Sequence, residues 1–422
     1  MAGTAEERIF TLDVIRGIAV MGILSVNIVG MAMIEQAYFF PTLYGFHSPA
    51  DKAMWALNSI FVDGRFRALF SILFGASLTV IVTRADEAGK KDWQVHYPRM
   101  IVLWLFGCVH YYLFWWGDIL VNYALIGTVA FLFWRLKTSQ LLLAAVCCLG
   151  LFYVPQWAAA APQIEMVQRG EEPGAAAALR AQADAILERV TPTETAAEIE
   201  RDKREHDSIG AHLQASTRGD ALLAPWLSVT GYGLETLGFM LIGIAGLKSG
   251  FLTGGWSRAS YAVTAAGCLS IDWLVHAWAV YLCIRDSFAP LTFIPWTRLY
   301  VSPLYAVGAI GYAALIMLAL GRRNSISERV AAVGRAAFTN YLGSTIVGVL
   351  VFYGTFGGLY GELSRAEAWL LVPPIWGFML AWSKPWLDRY NYGPMEWAWR
   401  SLSRWHFQAM RKADPARELA RT

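Results

Sequence analysis

The stretch PRMIVLWLFGCVHYYLFWWGDILVNYALIG, residues 98–127, decides the fold. It joins two apolar runs, 99–116 and 119–135, through a turn of only Gly117 and Asp118. Each run approaches the ~20 residues with which a helix crosses a bilayer. Tyr111, Tyr112, Trp115 and Trp116 gather at the run end, as an aromatic belt at a membrane surface does. The runs are continuous rather than alternating, which excludes an outer-membrane β-barrel.

The pattern recurs at 12–34, 66–83, 139–159, 221–247, 259–283, 299–320, 335–356 and 367–383. A further amphipathic helix is expected near 49–62, lying at the outer interface. Hydrophobic residues make up 56% of the 422 and charged ones only 16%, with a mean hydropathy of +0.40. Ordinary soluble domains carry about a quarter charged residues, so a soluble enzyme, a disordered scaffold and a disulfide-rich secreted domain are all excluded. The expected fold class is an all-α integral membrane protein of about ten transmembrane helices. The five cysteines lie inside apolar runs without ligand spacing and read as small buried hydrophobes. No cleavable signal peptide is evident, because the first apolar run is long enough to span.

Arginine and lysine give the orientation. Arg16, Arg84, Arg99, Arg135, Lys248, Arg335, Lys384 and Arg400 fall on one side if the N-terminus is inside. The bias predicts both termini in the cytoplasm. Residues 160–220 depart from the rest, with 12 acidic against 7 basic side chains. They read as one external helical insertion: Thr191-Pro192-Thr193-Glu194 resembles a capping box, and 196–213 should be helical. The expected organisation is a membrane bundle over 1–159, the insertion over 160–220, a second bundle over 221–405 and a basic cytoplasmic tail over 406–422.

Ionisable groups inside spans are costly and therefore candidate sites. Asp13 and Arg16 share a helix face and either pair to anchor the helix or serve a site. Asn27 lies deeper in the same span, as interhelical glue or a binding group. His110 suits a general base, with Asp118 to orient it or to cap the next helix. Asp272 and His276, four apart, read as an interhelical hydrogen bond before a dyad. The run GRRNSISERVAAVGR, 321–335, holds phosphates or simply obeys the positive-inside rule. No second ligand pair stands out, so no metal is expected. Walker, GxGxxG, GxSxG and HExxH motifs are missing, leaving no support for an ATP-driven pump, a Rossmann oxidoreductase or a serine hydrolase.

RIFTLDVIRGIAVMGILSVNI (8–28), DGRFRALFSILFGASL (63–78), the 98–127 stretch, FMLIGIAGLKSG (239–250), GRAAFTNYLGST (334–345) and YGPMEWAWR (392–400) together resemble the YeiB-like family of bacterial inner-membrane proteins. That family is similar to a wider transmembrane acyltransferase superfamily, which includes heparan-α-glucosaminide N-acetyltransferase and bacterial sugar O-acyltransferases. The resemblance implies acyl transfer across the membrane, from cytoplasmic acyl-CoA or acetyl-CoA to an acceptor hydroxyl or amine outside. Carried over, the central histidine falls on His110, the GDIL aspartate on Asp118 and the LDxxRG arginine on Arg16. Arg335, Asn340, Tyr341, Glu396 and Arg400 are further signature positions. Asn27 stands in the region where the sugar O-acyltransferases keep a histidine.

The expectation is thus a membrane-bound acyltransferase of the bacterial inner membrane. His110 and Asp118 carry the chemistry, Arg16, Arg99 and Arg335 hold the donor, and Asn27, Asn340 and Tyr341 contact substrate. The alternatives are a transporter or lipid flippase using the same cavity, and a non-catalytic membrane scaffold. Expected partners are membrane lipids and a small-molecule, glycan or lipid acceptor, with no nucleic acid; a homodimer stays open.

Overall fold

The computed structural model describes residues 5–412 apart from Pro192, Gly321 and Arg322. Most of the tail expected over 406–422 therefore lies outside the described residues, as does Arg322. The regular structure is helical, and one isolated bridge, Tyr390 with Arg411, is the only β pairing among the described residues.

The chain begins with α1 (Ala5–Ala32) and a short α2 (Glu35–Phe39). The amphipathic helix expected near 49–62 is α3 (Pro49–Phe61), started by a capping box between Ser48 and Asp51. Gly64, at φ 73°, turns the chain into α4 (Arg65–Glu87). The decisive stretch forms α5 (Asp92–Leu113) and α6 (Leu120–Ala130). Next, α7 (Thr138–Glu171) runs 34 residues, about 51 Å at 1.5 Å per residue, so one span continues into the insertion.

The insertion adds α8 (Ala177–Val190), α9 (Ala196–Glu205) and α10 (Ile209–Ser216). Its capping box lies between Thr195 and Glu198, four residues beyond the expected one, and Thr191 instead ends α8. The helix expected through 196–213 breaks at His206–Ser208, where the Ser208 hydroxyl caps α10. The C-terminal half comprises α11 (Ala224–Lys248), α12 (Arg258–Arg285), α13 (Pro290–Ile294) with a π-turn at Pro295–Tyr300, and α14 (Tyr305–Ala319). It finishes with α15 (Ser325–Arg335), α16 (Ala337–Phe352), α17 (Arg365–Trp369), α18 (Val372–Arg389) and α19 (Pro394–Ser403).

Six of these helical stretches are long and apolar enough to cross a membrane, and a seventh arises if α15 and α16, bent by 79°, count as one broken span. The expected runs at 99–116, 119–135 and 367–383 are helices as well, but α5 and α18 carry more polar groups and α6 is short. The exterior is what lipid requires. Val263 and Leu274 are 74% and 71% exposed, and Leu143, Val146 and Val154 line the open face of α7. Such a surface would aggregate in water. The chain is a multi-pass membrane protein.

Small residues set the tightest crossings. A Cβ on Gly17 would sit 2.1 Å from the Val330 carbonyl oxygen, and one on Gly334 1.8 Å from that of Asp13. Thus α1 and α15 touch backbone to backbone, and the LDVIRG and VGR segments meet there. Gly75 and Gly243 make the same kind of contact between α4 and α11. These pairings interleave the two halves of the chain, whose side chains share both large core clusters.

The insertion, expected to be external and helical, is docked against the rest of the protein. Glu35 N–H donates to Asp202 at 2.9 Å, the His206 ring stacks on Tyr360 at 3.8 Å, and His212 Nε2 bonds the Tyr111 carbonyl at 3.1 Å. Burial holds the His212 imidazole down to about 4, reinforced by the neighbouring His206.

Candidate functional site

His110 ends the last turns of α5, and the chain folds back immediately after it. Phe114 and Trp115 N–H groups both donate to the His110 carbonyl, and the Trp115 indole donates to the Gly30 carbonyl of α1 at 2.9 Å. This turn brings Asp118 under the histidine. The Nδ1–H of His110 donates to Asp118 Oδ1 at 2.8 Å, while Asp118 Oδ2 accepts from Val121 N–H in the first turn of α6 at 2.9 Å. One carboxylate therefore both orients the imidazole and satisfies a helix start. With Nδ1 carrying the proton of the neutral ring, Nε2 is the acceptor, and the Thr345 hydroxyl of α16 donates to it at 3.0 Å. His110 and Thr345 are 2% and 1% exposed.

Two cavities flank this buried set. The smaller, about 200 Å³, lies beside the C-terminal half of α4 and is lined by Arg16, Arg99, Arg335, Arg400, Tyr341 and Glu396 among others. All three arginines expected at a donor site thus converge. Arg16 pairs with Asp13 at 2.8 Å and donates to Ser77 at 2.8 Å. Arg99 lies over Trp399 at 5.0 Å and Arg400 over Tyr392 at 4.7 Å; among the described residues neither they nor Arg335 form an ion pair. Glu396 lines the same cavity and offsets part of their charge without an ion pair among the described residues; its carboxylate accepts the Phe338 and Thr339 N–H groups that start α16. The result is a pocket with surplus positive charge and an apolar floor, suited to an anion with an organic body.

The larger cavity, about 620 Å³, lies at the other end of α4 and α5 and is lined by Asn27, Glu35, Arg67, Asp118, Glu235 and Arg298 together with many aromatic rings. Arg67 and Glu235 pair across it at 2.7 Å. Asp118 lines this cavity and Tyr341 lines the smaller one, its ring 5.3 Å from that of His110. His110 itself lines neither cavity; it is buried between them, behind Tyr341 on one side and Asp118 on the other.

Asn340, expected to contact substrate, lines neither cavity. Its amide donates to Val333 and Ser383, and its oxygen accepts from Trp382, so every polar atom is used in packing α16 against α15 and α18. Among the described residues of the 321–335 run, only Gly334 and Arg335 reach the smaller cavity; Arg329 binds the Leu380 carbonyl. Asp272 makes the interhelical bond expected of it, to Arg65 at 2.9 Å. Sequence reasoning did not single out Thr345, Arg67, Arg298 or Glu235. Glu235, a carboxylate inside the 221–247 run, carried the same signal that singled out Asp272. Thr345 carried none, since a hydroxyl in an apolar helix is common.

Comparison with known proteins agrees with the shared motifs. The chain is 31% identical to the uncharacterized protein YeiB of Escherichia coli (strain K12), across 97% of this chain and 98% of that one. The chain belongs to the YeiB family. A second YeiB-like relative, the uncharacterized protein YxaH of Bacillus subtilis (strain 168), is 29% identical over 96% of this chain and 97% of its own length. Residues 247–406 match the family described as protein of unknown function, DUF418. That region supplies Arg335, Tyr341, Thr345, Glu396 and Arg400, so this match covers the C-terminal wall of the site. No solved structure matches the chain.

Proposed function

We propose that this protein is a membrane-bound acyltransferase that moves an acyl group from acyl-CoA in the smaller cavity to a hydroxyl or amine in the larger one. The observation that carries this reading is the position of His110, oriented by Asp118 and buried between an arginine-lined cavity and a wide polar one. In the mechanism, the attacking hydroxyl or amine displaces the Thr345 hydroxyl from Nε2, which removes its proton as it adds to the thioester carbonyl. The imidazolium, stabilised by Asp118, then returns that proton to the departing CoA thiolate. Arg16, Arg99 and Arg335 hold the donor's phosphates. The proposed topology has ten crossings with both termini in the cytoplasm and the arginine cavity facing inward, in a bacterial inner membrane. The lysine and arginine bias supports it. So does α6, apolar and with eight of its eleven residues buried, which faces mainly protein and need not be long.

Titrating CoA and acetyl-CoA against the detergent-purified protein tests the reading. At 100-fold excess over Kd an occupied site should raise stability by roughly 2.7 kcal/mol. Arg335→Ala should weaken that shift. No thermal shift and no binding at saturating CoA would favour a carrier that uses the same two cavities without covalent chemistry.

A further inference from the structure

Beside the larger cavity lies a separate apolar groove of about 360 Å³, between the outward extension of α7, α8 and α13. Its walls are Ile164, Val167, Ile186, Val190, Leu291 and Ile294, with no charged side chain. The segment Pro290–Tyr300 separates the two spaces and serves both. Phe293, Thr297 and Arg298 line the polar cavity, while Leu291, Ile294, Pro295 and Leu299 line the groove. Gln156 on α7 lines both, so the spaces meet at that side chain.

Three features give this boundary a ligand. First, α7 is the least buried of the membrane-crossing helices, so the groove continues an apolar surface already facing lipid. Second, Arg298 sits over Phe39 and Phe40 at 5.2 and 5.0 Å and forms no ion pair among the described residues. Its guanidinium, with Asp63 in the lining of the same cavity but not paired to it, can meet an anion at the point where polar and apolar spaces join. Third, the wall is irregular: a π-turn begins at Pro295 and carries Thr297, Arg298 and Leu299 to the two spaces. Such backbone is costly and tends to be kept at functional places.

We infer that the cavity and groove together bind one anionic lipid. Its phosphate lies at Arg298 in the polar cavity, and a hydrocarbon chain lies in the groove between α7, α8 and α13. The lipid arrives laterally from the bilayer along α7. This gives the insertion a task, since α8 supplies one wall of the groove. The binding claim goes beyond the acyl-transfer reading and does not depend on it; if both hold, the lipid headgroup is the acceptor.

The test uses the full-length protein in phosphatidylcholine vesicles containing a phosphatidic acid with a photoreactive diazirine at the end of one acyl chain. No acyl donor is present, so the result is independent of catalysis. Crosslinks should concentrate in residues 164–190 and 291–299. Unlabelled phosphatidic acid should compete, whereas equal inorganic phosphate should not. Arg298→Ala should lower labelling about tenfold, as expected for a lost charge-assisted contact. Ile294→Trp and Val190→Trp, which fill the groove from opposite walls, should each do the same, while Leu143→Trp on the open face of α7 should change nothing. The inference is overturned if crosslinks spread evenly along α7, or if a phosphatidylcholine probe labels the groove equally well. It is also overturned if inorganic phosphate removes the label, or if both groove-filling variants, folded by thermal melt, retain it.

Discussion

His110 and His276 each approach an aspartate carboxylate inside the bundle, at 2.8 and 3.2 Å, but the two pairs are built for different ends. Asp272 is committed to Arg65, with both side chains fully buried, and His276 Nδ1 bonds the Asp272 backbone carbonyl instead of the carboxylate. The charge there is cancelled within the protein, and what remains is a clamp between α4 and α12. Among the described residues Asp118 has no basic partner except His110, and it lines a wide cavity. Its charge is free to act on an imidazole buried between two cavities. The lesson is that a histidine–aspartate spacing says little until the carboxylate's other partner is known.

The comparison can be broken most sharply by activity. His110→Ala should reduce acyl transfer by roughly 10²–10⁴-fold, the usual contribution of a general base, while His276→Ala should leave turnover near wild type. Reconstituted-vesicle assays of both variants decide it, and equal losses would erase the distinction.

Stability should show the opposite ranking. Arg65→Ala leaves Asp272 as a bare buried charge and should cost about 3–5 kcal/mol, read as a large drop in the melting temperature of the detergent-purified protein. Removing both partners, as Arg65→Met with Asp272→Leu, should recover much of that loss.

A finer probe is Asp118→Asn. The amide oxygen can still accept from Nδ1–H, but the negative charge that stabilises the imidazolium is gone. Activity should fall by about tenfold to 10²-fold, less than for His110→Ala. A complete loss would mean that the bond to Val121 matters more than the charge.

The smallest effect concerns His212, buried beside His206, where the Asp202 carboxylate is too weak a neighbour to offset the burial. Its folded value, near 4, lies below the ordinary 6.5. The neutral form is therefore favoured on folding, and its contribution is complete above about pH 6.5 and fades as the pH falls toward 4. Amide exchange in α10 should accelerate over that window, and His212→Gln should flatten the dependence.

Much of this protein was legible in its sequence because the information was local. Apolar runs bounded by aromatic and basic residues specify membrane helices, and Ser48 with Asp51 specifies where α3 starts. Asp13 and Arg16 pair through helical periodicity alone. His110 and Asp118, eight residues apart, need only the turn at Gly117 to meet. Tertiary structure decided the rest. Thr345 reaches His110 across 235 positions, Arg65 reaches Asp272 across 207, and Arg67 reaches Glu235 across 168. Asn340 was turned from the site into packing by its neighbours on α18. The physical reason is that periodicity fixes which residues share a helix face, not which helix that face will meet. That choice rests on close crossings such as Gly17 with Gly334 and Gly75 with Gly243, which exist only once the bundle has assembled.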